Sequence, residues 1–201
     1  MNDTVDLGWP AALSAIEHDT ATVGFTMISE RRTGAMLRML AASKPGGALL
    51  ELGTGTGAST AWILDGMDSA ATPLTVDGEA KYVEIAKRHL GHDRRVTFRT
   101  QDGASLLREL GGRRFDLIFA DTWPGKFDHL EDALALLRPG GLYVIDDLLP
   151  QPNWPDGHAP KVDALVAQLE RDRRLALCKL CWSSGMIIAT RRTGAGSGSL
   201  T

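Results

Sequence analysis

The chain has 201 residues, 43% of them hydrophobic and 23% charged, with a formal net charge of −3; that length suits one domain burying about 70% of its unfolded surface around a single core. The mild acidic balance speaks against nucleic acid as a partner, since phosphate binding calls for clustered Lys and Arg, and the run Arg171-Asp172-Arg173-Arg174 is short and broken by an acid, as on a solvated face. No apolar run approaches the ~20 residues of a membrane span, and the acidic opening residues 1–6 lack the layout of a signal peptide, so the expectation is a cytoplasmic protein that engages no membrane.

Residues 9–43 read as helical. Pro10 suits a first turn after Trp9, and Ala35, Met36, Met39 and Leu40 make a stripe of period 3.6. Lys44-Pro45-Gly46-Gly47 stops it. Short apolar runs at 49–52, 74–77, 96–100, 115–120 and 142–145 then read as strands. Helical patterns follow them at 59–67, 80–90, 104–110, 127–137 and 162–170. That alternation implies a parallel sheet with helices on both faces. The ending breaks the rhythm: 175–182 and 186–190 read as two strands joined at Ser183-Ser184-Gly185 with no helix between. The class is α/β, an open, seven-stranded, mostly parallel sheet with an antiparallel C-terminal strand. Residues 1–192 read as one domain, with 1–44 its N-terminal helical segment, and 193–201 as a flexible Gly/Ser tail. Cys178 and Cys181 are spaced C-x-x-C on a strand pattern, where i and i+3 point to opposite faces; with no second pair to complete a zinc site, reduced, packed thiols are expected.

The chemistry gathers at Leu49-Leu50-Glu51-Leu52-Gly53-Thr54-Gly55-Thr56-Gly57-Ala58-Ser59. A buried strand, a glycine turn and a helix N-terminus are the parts that hold a nucleotide-like ligand. Gly53, Gly55 and Ala58 satisfy G-x-G-x-x-A, and Asp77 lies twenty residues past Gly57, so a nicotinamide dinucleotide is one reading. Ligands of open α/β sheets bind beyond the carboxyl ends of the strands. There the second strand ends in Asp77, the third runs into Asp102-Gly103-Ala104, the fourth ends in Asp121 and the fifth in Asp146-Asp147. A single acid at such a place is often only a helix cap; four strand ends in succession point to a site. Asp77 is suited to a ribose diol, and Asp102 to an adenine amino group. If the fourth and fifth strands are neighbours, about 4.8 Å apart, then Asp121, Asp146 and Asp147 converge and need a counter-charge. Mg²⁺ suits such oxygen ligands, as do Ca²⁺ and Mn²⁺; Lys126 or a retained proton would serve too.

Glu51-Leu-Gly-Thr-Gly-Thr-Gly57 resembles motif I, E-x-G-x-G-x-G, of the class I S-adenosylmethionine-dependent methyltransferases, including the acid that nicotinamide fingerprints do not require. Phe115-Asp-Leu-Ile-Phe-Ala-Asp121 and Leu137-Arg-Pro-Gly-Gly-Leu-Tyr-Val-Ile-Asp-Asp147 resemble the later motifs of the catechol and caffeoyl-CoA type O-methyltransferases, and Met27-Ile-Ser-Glu-Arg-Arg-Thr-Gly34 their loop ahead of the sheet. The resemblance covers roughly residues 25 to 192 and implies a Rossmann-like methyltransferase fold with the N-terminal segment over S-adenosylmethionine. By carry-over Glu51 meets the methionine amino group, Gly53, Thr54 and Gly55 let it approach, and Ser59 meets the carboxylate. Asp77 and Gly78 hold the ribose, Asp102, Gly103 and Ala104 the adenine, and Met27, Ser29 and Asp121 close the remaining side. The family's metal pattern is Asp…Asp-Asn, and Asp147 departs from it by one negative charge.

The implied reaction moves a methyl group to a hydroxyl of a small, aromatic acceptor, with divalent-metal assistance allowed for. A neutral hydroxyl attacks poorly unless its proton is removed. The family's base lysine follows the fourth-strand Asp closely; here the third residue after Asp121 is Pro124, and Lys126 reaches the site if the loop bends at Pro124-Gly125. Lys126 and Asp121 are the catalytic candidates. Trp123 and Trp154 are candidate walls of the acceptor pocket, while His129 and His158 are left without a role. Two rivals stand beside this reading: a methyltransferase-like binding protein without transfer activity, and an NAD-dependent oxidoreductase. A homodimer is allowed for.

Overall fold

Ala48–Leu52 forms β1, an interior strand of the sheet. Its side chains alternate, so Leu50 and Leu52 enter one hydrophobic core and Leu49 the other. Helices cover both faces, which is why so short a strand is apolar almost throughout. The structure, a computed structural model, describes residues 8–152 and 154–194. Most of the Gly/Ser tail therefore lies outside the described residues.

In chain order the elements are α1 (Leu13–Thr22), α2 (Arg31–Ala42), β1, α3 (Ala58–Gly66), β2 (Thr72–Asp77), α4 (Ala80–Leu90), β3 (Thr97–Thr100), α5 (Gly103–Glu109), β4 (Phe115–Ala120), α6 (Leu130–Ala135), β5 (Leu137–Ile145), α7 (His158–Arg171), β6 (Leu175–Leu180) and β7 (Met186–Arg191). The seven strands run in the order β3-β2-β1-β4-β5-β7-β6. The first five pair in parallel, and β7 enters antiparallel between β5 and β6. Leu13, Leu37 and Trp62 from α1, α2 and α3 pack on one face. Leu106, Leu130 and Leu165 from α5, α6 and α7 pack on the other.

The expected helix over 9–43 is two helices. Gly24, at φ +66°, ends α1, and residues 23–30 run without regular structure to α2. The expected helix over 127–137 shrinks to α6 because the chain ahead of it is a tight loop. There the Trp123 carbonyl accepts from the N–H groups of Lys126, Phe127 and Asp128. His129 is left-handed at φ 55°. The helix expected from residue 162 starts instead at His158, after the left-handed Gly157. Cys178 and Cys181 are free and exposed rather than packed. No helix among the described residues is long and apolar enough to cross a membrane.

Candidate functional site

The glycine turn leaves β1 with φ +105°, +50° and +97° at Gly53, Gly55 and Gly57, a geometry few other residues adopt. Gly53 has a second reason: a Cβ there would lie 2.8 Å from the Asp121 carbonyl oxygen. Strand end and turn are laced together, since Gly53 and Thr54 donate to the Val76 carbonyl and the Asp121 N–H to that of Leu52. The turn opens on a cavity of about 460 Å³ at the carboxyl end of the sheet.

Thirteen of the expected residues line that cavity: Met27, Ser29, Gly53, Thr54, Gly55, Ser59, Asp77, Asp121, Trp123, Lys126, Asp146, Asp147 and Trp154. Asp77 braces the turn, its Oδ2 accepting from the Gly55 N–H at 2.9 Å and its Oδ1 from Glu79 at 2.9 Å. Ser59 stands in the first turn of α3, where free N–H groups favour a carboxylate. Ser29 donates to Asp121 Oδ2 at 3.1 Å, tying the loop between α1 and α2 to the end of β4.

Glu51 lies beneath the turn, outside the cavity wall. Thr60 and Thr75 donate to its Oε2, while Oε1 is buried without a hydrogen-bond partner. Burial pushes its carboxyl up to about 7, against the pull of the Ser59, Thr60 and Thr75 hydroxyls. An unpartnered buried acceptor beside a glycine turn fits an ammonium-bearing ligand such as the methionine end of S-adenosylmethionine. Asp102, Gly103, Ala104 and Gly78 also stand outside the wall. Asp102 caps α5, accepting from the Ser105 N–H at 2.9 Å.

The second half of the site is built by β4 and β5. They are parallel neighbours, the last pair being Ala120↔Ile145, so Asp121 and Asp146 emerge side by side. The loop after β4 bends at Gly125, φ +89°, as expected. The buried Tyr143 hydroxyl on β5 donates to the Gly125 carbonyl and pins that loop from below. Lys126 is thereby held in the cavity wall at 4% exposure. Burial, then the Asp146 carboxylate, pushes Asp121 up to about 7, and the Lys126 charge opposes this. Asp146 is raised by burial as well, against the Ser184 hydroxyl, the Asp147 N–H and Lys126.

Each of the three acids expected to hold a metal is already engaged. Asp146 Oδ1 accepts from Ser184 at 2.6 Å and from the Asp147 N–H at 2.8 Å. Asp147, left-handed at φ 60°, accepts from Trp154 Nε1 at 3.0 and 3.1 Å. Asp121 takes the Ser29 hydroxyl, and the Lys126 charge acts on both Asp121 and Asp146. Among the described residues no group of three or more His, Cys, Asp or Glu is set to hold an ion. Hydroxyl and indole donors and the Lys126 charge thus already offset these carboxyls from within the chain.

Trp123 is 44% exposed, and Lys161 Nζ lies 3.8 Å from its ring centroid. Trp154 sits against His158, centroids 4.5 Å apart. His158 itself lines the cavity, as do Tyr82 and Ser184, which sequence reasoning missed. Tyr82 packs on Phe25 across the loop ahead of α2, 4.4 Å between centroids. Only its place one turn into the helix after Asp77 could have signalled it. His129 lies outside the wall, its Nδ1 2.7 Å from Asp132 Oδ2.

Comparison with known proteins agrees with this geometry. A family described as a methyltransferase domain matches residues 50–148. A Mycobacterium ulcerans protein named an O-methyltransferase by inference is 29% identical over 171 residues, 79% of this chain and 75% of that one. A similarly named protein of Mycobacterium avium is 31% identical over 143 residues, 67% of this chain and 63% of its own length. Among solved structures, the O-methyltransferase of Bacillus cereus in complex with S-adenosylhomocysteine matches with a TM-score of 0.81 at 22% identity, covering 94% of both chains. TomG of Streptomyces achromogenes, an O-methyltransferase involved in tomaymycin synthesis and solved with S-adenosylmethionine, matches with a TM-score of 0.81 at 20% identity, covering 94% of this chain and 93% of that one.

Proposed function

Because this chain belongs to the class I methyltransferases as an S-adenosylmethionine-dependent O-methyltransferase, we propose that it methylates a hydroxyl of a small, flat, aromatic acceptor held between Trp123 and Trp154. The observation that carries this reading is a single cavity whose wall contains both the glycine turn with Asp77 and the group Asp121, Lys126, Trp123 and Trp154. S-adenosylmethionine supplies the methyl group as a sulfonium. Glu51, Gly53, Thr54, Gly55 and Ser59 take its methionine end, Asp77 and Gly78 its ribose, and Asp102, Gly103 and Ala104 its adenine edge. Met27, Ser29 and Asp121 close over it.

Lys126 and Asp121 are the catalytic pair. A cation held rigidly in a water-poor wall stabilises the negative charge that develops on the acceptor oxygen as its proton leaves. The position of Lys126 beside Asp121 and Asp146 favours this fixed-charge role over that of a free base, because a neutral amine would leave those carboxyls without compensation. No step is assigned to a metal. We read residues 1–192 as a single methyltransferase domain, with 1–44 its N-terminal segment over the cofactor (1–7 lying outside the described residues), acting in the cytoplasm without nucleic acid; a homodimer belongs to the same reading.

The test is to incubate the protein with S-adenosylmethionine and a panel of phenols and catechols, and to look for acceptor mass increased by 14. Thermal shifts with S-adenosylhomocysteine and with NAD compare the two cofactor classes directly. A shift with NAD alone, or no product from any acceptor, would overturn the proposal.

A further inference from the structure

His158 is the first residue of α7 and 7% exposed, yet neither ring nitrogen has a hydrogen-bond partner. Buried polar groups in folded proteins are almost always partnered, and an exception calls for a reason. Nothing in the wall satisfies this one. The ring is held edge-on to Phe127, 5.0 Å between centroids at 87°, and tilted on Trp154 at 4.5 Å. Those contacts fix the imidazole plane without using its nitrogens. The residue shares the cavity wall with Lys126, Asp121 and Trp154, so the missing partner is on the acceptor's side.

We propose that His158 is the general base, taking the proton of the acceptor hydroxyl while Lys126 keeps its own. This rests on the methyl-transfer reading above and supplies what that reading lacks, a destination for the proton. The acceptor oxygen gives up its proton to one imidazole nitrogen and forms the bond to the methyl carbon. The carbon–sulfur bond breaks, and its electron pair returns to sulfur. The positive charge that leaves the sulfonium reappears on the imidazolium, so charge and atoms balance. The imidazolium then loses its proton to solvent.

The charges around the ring suit that role. Burial lowers the imidazole from its ordinary 6.5, the Asp147 carboxylate on the loop after β5 opposes this, and the ammonium groups of Lys126 after β4 and Lys161 on α7 add to it. The ring is therefore neutral near pH 7 and free to accept. A lysine held as counter-charge to two carboxyls and a neutral histidine with both nitrogens unpartnered divide the electrostatic and the proton-transfer work between them.

The test uses the full chain and His158→Gln, with His158→Ala as a second variant, assayed with S-adenosylmethionine on every phenol or catechol the wild type methylates. S-adenosylhomocysteine binding is followed by calorimetry. Both variants should bind S-adenosylhomocysteine within about threefold of wild type, and kcat should fall about 10²–10⁴-fold. The wild type should show kcat rising with pH through a group at or below about 6.5, and that limb should vanish in His158→Gln but persist, at lower amplitude, in Lys126→Met. Variant turnover within threefold of wild type overturns the proposal alone, as does a limb that survives in His158→Gln and disappears in Lys126→Met. A wild type that binds S-adenosylhomocysteine but methylates nothing in the panel overturns the acceptor reading and this proposal with it.

Discussion

Asp121 and Asp146 leave adjacent parallel strands one residue beyond the last paired register, Ala120↔Ile145, and the Lys126 charge acts on both. The sheet delivers two carboxyls to one point, and a loop pinned by Tyr143 brings the compensating cation. The charge that offsets those carboxyls is thus supplied from within the chain.

Lys126→Met should remove that cation. We expect kcat on a responsive acceptor to fall about 10²–10³-fold, the usual cost of losing one preorganised charge stabiliser, with S-adenosylhomocysteine affinity by calorimetry little changed. A variant that keeps most of its turnover would return Lys126 to a structural role.

Exhaustive chelation should leave turnover unchanged. Asp121, Asp146 and Asp147 already accept hydrogen bonds from Ser29, Ser184 and Trp154, and the Lys126 charge acts on the first two, so their compensation does not depend on a divalent ion. Activity that collapses with chelator and returns with Mg²⁺ would contradict this.

Asp77→Ala should weaken S-adenosylhomocysteine binding by about 1–3 kcal/mol, the cost of leaving hydrogen-bonding groups unpaired. The effect has two routes, a lost ribose acceptor and a loosened turn, since Asp77 also accepts from the Gly55 N–H. Equal affinity for variant and wild type would sink the ribose assignment.

Glu51 links stability to pH. Burial raises its carboxyl from 4.5 to about 7 in the fold, so between those values the folded state binds the proton more tightly than the unfolded one. Stability is then fully present below about 4.5 and is lost as pH rises through about 7, by up to about 3 kcal/mol. Denaturation midpoints of the ligand-free protein between pH 4.5 and 7.5 should fall along this window, and Glu51→Gln should flatten the slope. S-adenosylhomocysteine, whose ammonium would partner Oε1, should flatten it too. A midpoint that rises with pH in wild type and variant alike would refute the assignment.

Much of the fold was legible because its signals are local. The alternation of short apolar runs with amphipathic stretches, the glycine turn after β1 and the hairpin without a helix near the end depend on neighbours a few residues apart. Helix limits were harder. At 127–137 the apolar pattern continues through a stretch that folds as loop, because three N–H groups converge on the Trp123 carbonyl and His129 turns left-handed, and periodicity is blind to both. Likewise the stretch over 9–43 hid the break at Gly24, and with it the loop that carries Met27 and Ser29 to the cavity.

By itself the sequence determined the order of strands and helices, the glycines a close-approaching ligand needs, and the acids at successive strand ends, since each follows from backbone sterics or side-chain period within a short window. Only the tertiary structure decided which of those acids meet and what they meet. The β4–β5 register sets Asp121 beside Asp146, and Tyr143, eighteen residues from Gly125, pins the loop of Lys126. The early start of α7 turns His158 from a spare loop residue into a buried ring with two unpartnered nitrogens. Those outcomes depend on contacts between segments far apart in the chain, formed when the elements pack, and no local pattern encodes them.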